Sequence, residues 1–307
     1  MYKVTSRWPH QRSVKVEWNL GRRCNYDCSY CPAIIHDNTS SHTDIHVLKD
    51  TVDRLLELDR PIRLSFTGGE PTVHPRFEEL VGYAKNQGID WISVTTNGTR
   101  QPEWYSEQRV DHYVFSLHFE HDWERALNTI TKLNYLSPKP LPIMVNVMAH
   151  HDYMKEVKVA VEKLQNTHIP YVIRRIRWTE DDHNVFDDLR YNLNDLEWIL
   201  ERESTVTANC VIDDDPVKMY HANDIIKLHM NEYQGWTCSA GIESLMINWD
   251  GEVHRATCRV GGSLGNIYTG DFTIPIEPIV CNRNNCTCAA DIPLTKYAPI
   301  QGTSEQS

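Results

Sequence analysis

Short β-branched and apolar runs alternate with longer segments of helical period between residue 14 and about residue 178. This alternation predicts repeated βα units and therefore an α/β fold with a parallel sheet. Six units joined by right-handed crossovers predict a partial (β/α)6 TIM-like barrel that is open on one side, with its active end at the strand C-termini. The predicted strands are 14–19, 62–67, 91–95, 112–118, 142–148 and 171–177, and the predicted helices are 44–58, 75–87, 102–108, 122–136 and 153–166.

The alternation stops after residue 180, where an acidic stretch begins. Helices are predicted at 193–202 and 220–232, and they would connect the barrel to the last part of the chain. The residues after 297 are small and polar, so the terminus is expected to fray. The predicted parts are a barrel at 1–180, a helical bridge at 181–235, a small C-terminal domain at 236–298 and a flexible tail at 299–307.

Composition excludes several classes of partner. The formal net charge is −11, which repels a phosphate backbone, so nucleic acid is disfavoured as a partner. No apolar run approaches the roughly 18 to 20 residues that a membrane-spanning helix needs. The first twelve residues are polar and basic, without the apolar centre of a signal peptide. We therefore expect a cytoplasmic protein that has no membrane partner.

Nine cysteines form two groups and leave Cys210 apart. Cysteines in a reducing compartment bind metal, act in catalysis or lie buried more often than they form disulfides. One group, Cys24-x3-Cys28-x2-Cys31, directly follows the first predicted strand. Three thiolates at these gaps reach three corners of a [4Fe-4S] cubane and leave the fourth iron open. Zinc is the alternative, with His36 or His42 nearby, but zinc sites favour two cysteine pairs or histidines at matching spacing.

The cysteine triplet resembles the signature of the radical S-adenosylmethionine (SAM) superfamily, because the aromatic Tyr30 precedes the third cysteine. After the second strand, Gly68-Gly69-Glu70 resembles the GGE motif of that family. The resemblance implies that Cys24, Cys28 and Cys31 hold the catalytic cluster. It also implies that Tyr30, Gly68, Gly69 and Glu70 contact SAM, the glycines by allowing close approach and the carboxylate by offsetting the ammonium group.

Further SAM contacts are expected at the ends of later strands. Asn97 ends the third strand, and Asn146 interrupts the apolar fifth strand. Each of these residues has an ordinary structural alternative: a turn for Asn97, a hydrogen-bonded core position for Asn146 and a salt bridge for an arginine of the sixth strand. The candidates for this pocket are Asn97, Ser116, His118, Asn146 and Arg175.

The second cysteine group resembles the SPASM/Twitch extension of radical SAM enzymes. Cys238 and Cys258 bracket a predicted hairpin of strands 244–249 and 252–256. The resemblance implies an auxiliary [4Fe-4S] cluster, with these two cysteines and two from the later group as ligands, so one thiol is spare. A zinc ribbon is the alternative. The later group consists of Cys281, Cys286 and Cys288.

The resemblance implies that an electron donor such as flavodoxin or ferredoxin reduces the cluster. SAM is then cleaved to a 5'-deoxyadenosyl radical, which takes a hydrogen atom from the substrate. A free thiol, at Cys210 or at the spare ligand, is a candidate hydrogen donor, although Cys210 is more simply a buried small hydrophobe. We expect an oxidoreductase or an epimerase (isomerase).

A small polar molecule is the leading substrate class, because the barrel begins near residue 14 and leaves no room for an N-terminal peptide-recognition domain. The alternatives are a peptide or protein maturase of the ribosomal-peptide type and an enzyme that modifies a nucleotide or a DNA base. A non-catalytic iron- or zinc-binding scaffold is the last alternative, and the Gly-Gly-Glu motif argues against it.

Overall fold

The computed structural model describes residues 3–6, 13–136, 141–179, 185–187, 190–202, 205, 208–215 and 217–299. Part of the acidic stretch, 180–184, and the tail from residue 300 onward lie outside the described residues. Among the described helices, none combines the length and the apolar character that crossing a bilayer requires.

The helices and strands follow the predicted alternation as far as residue 175. The strands are β1 (Lys3–Ser6), β2 (Val14–Asn19), β3 (Ile62–Thr67), β4 (Trp91–Thr96), β5 (His112–Leu117), β6 (Ile143–Ala149), β7 (Tyr171–Arg175), β8 (Arg177–Thr179), β9 (Val185–Asp187), β10 (Cys210–Ile212), β11 (Met219–Tyr220), β12 (Thr237–Cys238), β13 (Ser244–Ile247), β14 (Glu252–His254), β15 (Ser263–Asn266), β16 (Asp271–Phe272), β17 (Ile279–Val280) and β18 (Lys296–Tyr297). The helices are α1 (Ile45–Leu56), α2 (Phe77–Gln87), α3 (Pro102–Glu107), α4 (Trp123–Leu136), α5 (Met154–Gln165), α6 (Leu193–Leu200) and α7 (Ala222–Lys227). The predicted α/β fold is confirmed.

Strands β2 to β7 form a parallel sheet in which chain neighbours are also neighbours in space. Alternate side chains of a strand face opposite sides, so Val16 and Trp18 of β2 join the apolar core while Glu17 lies on the other face. The helices cover the apolar face, with Leu48 and Val52 of α1 fully buried. The other face carries polar side chains, such as Glu17 and Ser65, together with some apolar ones, such as Val114 and Met144.

The C-terminal hairpin continues this sheet. Strand β13 pairs in parallel with β2 and places Ser244 opposite Lys15, while β14 runs antiparallel to β13. Gly251 adopts a φ of 88° at the hairpin turn, a conformation that suits glycine. The sequence predicts a separate small domain here, but its first hairpin lies within a ten-stranded sheet.

A second sheet of six antiparallel strands collects short segments from both ends of the chain, in the order β11, β10, β1, β18, β12 and β17. The sequence predicts none of these strands. Strands β10 and β11 also interrupt the predicted helical bridge, and α7 ends at Lys227, well before the predicted end at residue 232. Strands of two to four residues form because distant segments of the chain pair with them. A local sequence pattern does not show such pairing.

Candidate functional site

The cysteine loop follows β2 and is held by the turn that follows β3. Gly69 N–H donates to the carbonyl of Gly21 (2.9 Å), and Glu70 N–H donates to the carbonyl of Arg23 (2.9 Å). Gly68 has a φ of 117°, and a Cβ atom on Gly69 would lie 2.3 Å from the carbonyl oxygen of Arg23. These glycines are therefore required for the contact between the two backbone segments, in addition to the predicted approach to a ligand.

An open cavity with about 910 Å³ of empty volume lies at the C-terminal ends of the parallel strands. Most of the predicted site residues meet there, whereas Asn146 and Arg175 do not line the cavity. The predicted residues in the wall are Cys24, Cys28, Tyr30, Cys31, Gly68, Gly69, Glu70, Asn97, Ser116 and His118.

The Glu70 carboxylate lies in the wall of this cavity and is only 3% exposed. Its oxygens accept hydrogen bonds from Thr72 N–H (3.0 Å), the hydroxyls of Thr72 (2.6 Å) and Thr96 (2.9 Å), and Asn97 N–H (2.6 Å). Burial raises the pKa of Glu70, and these four donors oppose the rise. Three of these donors bond Oε1 and one bonds Oε2, so Glu70 joins β3 to the end of β4 and its Oε2 can accept a further hydrogen bond. Contact between Glu70 and SAM stays a prediction.

Asn97 connects the end of β4 to the cysteine loop. Its Nδ2 donates to Oδ1 of Asn25 (2.8 Å), and Asn25 Nδ2 donates to the hydroxyl of Thr99 (2.8 Å). The Thr99 hydroxyl donates to Oδ1 of Asn97 (2.9 Å), which closes a ring of three side chains. The sequence analysis missed Asn25 and Thr99; their positions, directly after Cys24 and two residues after Asn97, were the available signal.

His118 lies directly after β5, next to the second cysteine of the loop. Its Nδ1 atom is 2.6 Å from the Tyr30 hydroxyl and 3.4 Å from Sγ of Cys28. Burial lowers the pKa of His118 to about 4, so the ring is neutral at pH 7. Two residues later, Glu120 accepts a hydrogen bond from Ser29 N–H (2.8 Å). Glu120 thus fixes the loop backbone, a role that the sequence did not reveal.

The arginine that meets the predicted Asn146 is Arg174 and not Arg175. Arg174 Nε donates to Oδ1 of Asn146 (2.7 Å), and Arg174 pairs with Met148, a residue of the cavity wall. Because side chains alternate along a strand, Arg175 lies on the opposite face of β7. A contact between Arg175 and SAM stays a prediction, and Arg174 is better placed for it.

A row of polar side chains crosses the face of the sheet opposite the helices. Glu17, Ser65, Ser93 and His112 are consecutive register partners across β2, β3, β4 and β5. The Ser93 hydroxyl lies 3.1 Å from His112 Nδ1. Burial lowers the pKa of His112 to about 4, so this ring is a neutral hydrogen-bonding group at pH 7. This face of the sheet therefore presents hydrogen-bonding groups.

The described cysteines do not have the close spacing of a single-ion site. Tetrahedral zinc, with Zn–S bonds near 2.3 Å, brings thiolates to within about 3.8 Å of one another. Within the described residues, no three cysteine Sγ atoms all lie within 4.8 Å of one another. A cubane carries its cysteines on separate irons and accommodates the wider spacing.

One group of described residues does have single-ion spacing: His150, His151 and Asp152. However, His150 Nδ1 accepts a hydrogen bond from Asp152 N–H (3.2 Å), so the Nε2 atom of the neutral ring carries the proton. An Nε2–H group has no lone pair for a metal. The geometry therefore does not support a metal site at this position.

A second cavity is enclosed by cysteines of the C-terminal part. Cys238 ends β12 and Cys281 follows β17, so the pairing of these strands brings the two together. Burial raises the pKa of Cys258 to about 12, with Asp291 and then its thiol neighbours adding to the rise. The cysteines in the cavity wall are Cys238, Cys258, Cys281 and Cys286.

Cys288 does not line this second cavity. Burial raises its pKa to about 12, and the charged groups that act on it include Asp291 and two residues of β2, Glu17 and Lys15. The side chain of Cys288 is therefore close to the large sheet. Of the five C-terminal cysteines, Cys288 is the one outside the wall of the second cavity, although it lies close enough to Cys286 to raise the pKa of that thiol.

These features define the class of the protein: an α/β protein with a three-thiol loop at the strand ends and space beside it for a second ligand. Residues 18–122 match the family model described as the Radical SAM superfamily. Residues 18–122, about a third of the chain, therefore resemble a radical SAM domain, and proteins of that family bind a [4Fe-4S] cluster and SAM.

Two curated relatives match a third of the chain or less. The chain is 34% identical over 87 residues to an S-adenosylmethionine-dependent nucleotide dehydratase of Selenomonas ruminantium, which is 28% of this chain and 31% of the relative. It is 33% identical over 102 residues to the mycofactocin maturase MftC of Mycobacterium tuberculosis, which is 33% of this chain and 26% of the relative. The chain thus matches less than a third of either relative.

A solved structure resembles most of the chain. Streptococcus suis SuiB bound to S-adenosylmethionine superimposes with a TM-score of 0.56 at 14% sequence identity, covering 85% of this chain and 64% of that chain. At this identity the likeness establishes the fold, and it extends beyond the radical SAM domain.

Proposed function

We propose that the chain is a radical SAM enzyme that removes a hydrogen atom from a small polar substrate. In this proposal β2 to β7 form the incomplete (β/α)6 barrel and residues 236–298 a Twitch-type unit with a second cluster. The observation that carries the proposal is the convergence of three thiols, at wider than single-ion spacing, on one open cavity with the Gly-Gly-Glu turn.

The residues of the cavity have distinct tasks. Cys24, Cys28 and Cys31 would hold the cluster, which together with SAM supplies a 5'-deoxyadenosyl radical. Burial raises the pKa of Cys28 and of Cys31 to about 12, so these thiols need a cation to become thiolate ligands. Arg174, beside Asn146, offers a guanidinium for the carboxylate of SAM or an anionic group of the substrate.

The second cluster would be held by Cys238, Cys258, Cys281 and Cys286. These four cysteines line one cavity, and four thiolates complete the ligands of a cubane. Cys288 is then the spare thiol. Removing Cys288 would leave the iron content unchanged, whereas removing Cys258 would lower it by one cluster.

The choice of a small polar substrate is supported by hydrogen-bonding side chains in the wall of the open cavity, among them the buried Asn97 and Ser116. Buried hydrogen-bonding groups select ligands that can satisfy them. One relative is named for a nucleotide substrate and another is named a maturase, and each matches a third of this chain or less. Nucleotides are therefore the first small polar molecules to test.

Anaerobic incubation with SAM and dithionite tests the activity. The reconstituted protein should form 5'-deoxyadenosine and methionine, and Cys28→Ala should reduce the rate at least 100-fold because a cluster ligand is lost. Cys210→Ala is the matched control, because Cys210 is fully buried in a separate apolar cluster and should retain the rate. Equal rates for wild type and Cys28→Ala, or no product from the wild type, would refute the proposal.

The same assay addresses the substrate class. A true substrate should raise the rate of 5'-deoxyadenosine formation above the rate with SAM alone, and mass spectrometry should show its conversion. Nucleotides and aminoglycosides form one panel, and peptides form the other. Turnover of peptides alone would replace the small-molecule proposal with a maturase.

A further inference from the structure

Lys296 is a buried lysine in the wall of the second cavity. It lies on β18, between β1 and β12, and is only 2% exposed. Lysine is almost never fully buried unless its charge is compensated. The cavity wall that includes Lys296 also includes Cys238, Cys258, Cys281 and Cys286.

The ammonium group of Lys296 uses all of its protons on main-chain oxygens. It donates to the carbonyls of Asp291 (2.7 Å), Ile292 (3.0 Å) and Leu294 (3.1 Å). Its Nζ also lies 5.3 Å from the centre of the Tyr233 ring, whose face attracts cations. These contacts hold the charge in place and orient it, but carbonyl dipoles and a ring do not neutralise it.

No carboxylate of the described residues forms an ion pair with Lys296. The acid of the same cavity is Asp291, and its Oδ2 accepts a hydrogen bond from Cys258 N–H (3.0 Å). A buried charge is expensive unless an opposite charge is close. The wall of this cavity therefore carries two cations, Lys296 and Arg283, one carboxyl group, Asp291, and four cysteines, and Lys296 is the cation whose ammonium is fixed by three carbonyls.

A cubane with four thiolate ligands is the kind of occupant that this cation would balance. Such a cluster carries net negative charge, and the charge increases when the cluster accepts an electron. A fixed positive charge nearby stabilises the reduced state more than the oxidised state, because Coulomb attraction grows with the charge of the cluster.

We propose that Lys296 is the buried counter-charge of the second cluster and raises its reduction potential. The inference rests on the proposed second cluster at Cys238, Cys258, Cys281 and Cys286. Lys296 acts as a positioning residue that makes no bond to iron. A raised potential suits a cluster that accepts an electron from a substrate radical.

The test measures the midpoint potential of the second cluster alone. Cys24, Cys28 and Cys31 are first replaced together by alanine in the full chain, which leaves the second cluster as the source of the electron paramagnetic resonance signal. Iron and sulfide counts establish whether that cluster is present, and this result decides the proposed second site independently of Lys296.

In this background Lys296→Gln removes the charge but keeps two N–H donors. Its midpoint potential should be more negative than that of the parent, whereas Lys296→Arg should stay close to the parent. Lys3→Gln is the control, because Lys3 lies on the adjacent strand β1, with its Nζ near the exposed carboxylate of Asp214 (3.1 Å). Solvent screens that charge, so the Lys3 variant should not shift the potential.

An unchanged potential in a cluster-loaded Lys296→Gln protein would overturn the proposal. If Lys296→Gln loads no cluster while Lys296→Arg does, the charge is needed to hold the cluster, and the proposal stands. If both variants lose the cluster, hydrogen bonds specific to lysine are what the site requires, and the proposal fails.

Discussion

Glu70 is a buried carboxylate that joins three backbone segments at the cavity. It accepts hydrogen bonds from its own turn and from the end of β4, and its N–H donates to the cysteine loop. The family motif predicts a contact with SAM at this residue, and the structure gives it four protein donors, only one of which bonds Oε2. Glu70 thus contributes to the shape of the site whether or not it touches the ligand.

We predict that Glu70→Gln lowers the free energy of unfolding by about 1–3 kcal/mol, because an amide nitrogen would face N–H and O–H donors in place of one carboxylate oxygen. Urea unfolding monitored by circular dichroism measures the change. Glu107→Gln is the control, because Glu107 is exposed at the end of α3. Equal stability of the two variants would show that Glu70 does not stabilise the fold.

Some residues of the site could be predicted from the sequence, and others could not. Cys24, Cys28 and Cys31 are recognisable because their spacing is local and their chemistry is uncommon. The roles of Asn25 and Glu120 are harder to predict, because they depend on hydrogen bonds to residues more than 70 positions away. Arg174 and Arg175 differ by one position, and only the observed register decides which of them meets Asn146.

At the scale of elements, the turn after β3 and the cysteine loop form one unit. Their backbones approach so closely that Gly69 has no room for a side chain. The six parallel strands were predicted to within one or two residues at most ends, because each strand and helix carries its own periodicity. The six-stranded sheet was not predicted, because β1 pairs with partners more than 200 residues away.

We predict that Gly69→Ala displaces the cysteine loop and lowers the iron bound at the first cluster site. The new Cβ atom would lie 2.3 Å from the carbonyl oxygen of Arg23, and such overpacking costs about 1–3 kcal/mol. Anaerobic iron counts should fall by close to one cluster per chain. Gly82→Ala is the control: Gly82 lies in α2 with no atom within 4 Å of its would-be Cβ, and alanine there should add about 0.5–1 kcal/mol of stability. Full iron in Gly69→Ala would contradict this account of the turn.

At the scale of the whole molecule, one sheet connects the two groups of cysteines. Strand β13 precedes Cys258 in the chain and pairs with β2, which leads directly into the cysteine loop. Trp18 Nε1 also donates to the Tyr268 hydroxyl (3.2 Å) across this boundary. The sequence predicts two domains because the partners of this pairing are more than 200 residues apart, and periodicity carries no information on which strands pair.

We predict that β2 and β13 lose their backbone hydrogen bonds in the same unfolding event. A strand pair in the interior of a sheet loses its hydrogen bonds only in a large unfolding event, so amide hydrogen exchange of 14–19 and 244–247 should be slow and equal within a factor of a few. Strand β11, at the edge of the smaller sheet, should exchange much faster and serves as the internal control. Mass spectrometry of the cluster-loaded protein measures all three segments. Exchange at 244–247 that is more than tenfold faster than at 14–19 would mean that the C-terminal part opens independently, and β13 would then attach to β2 without sharing its stability.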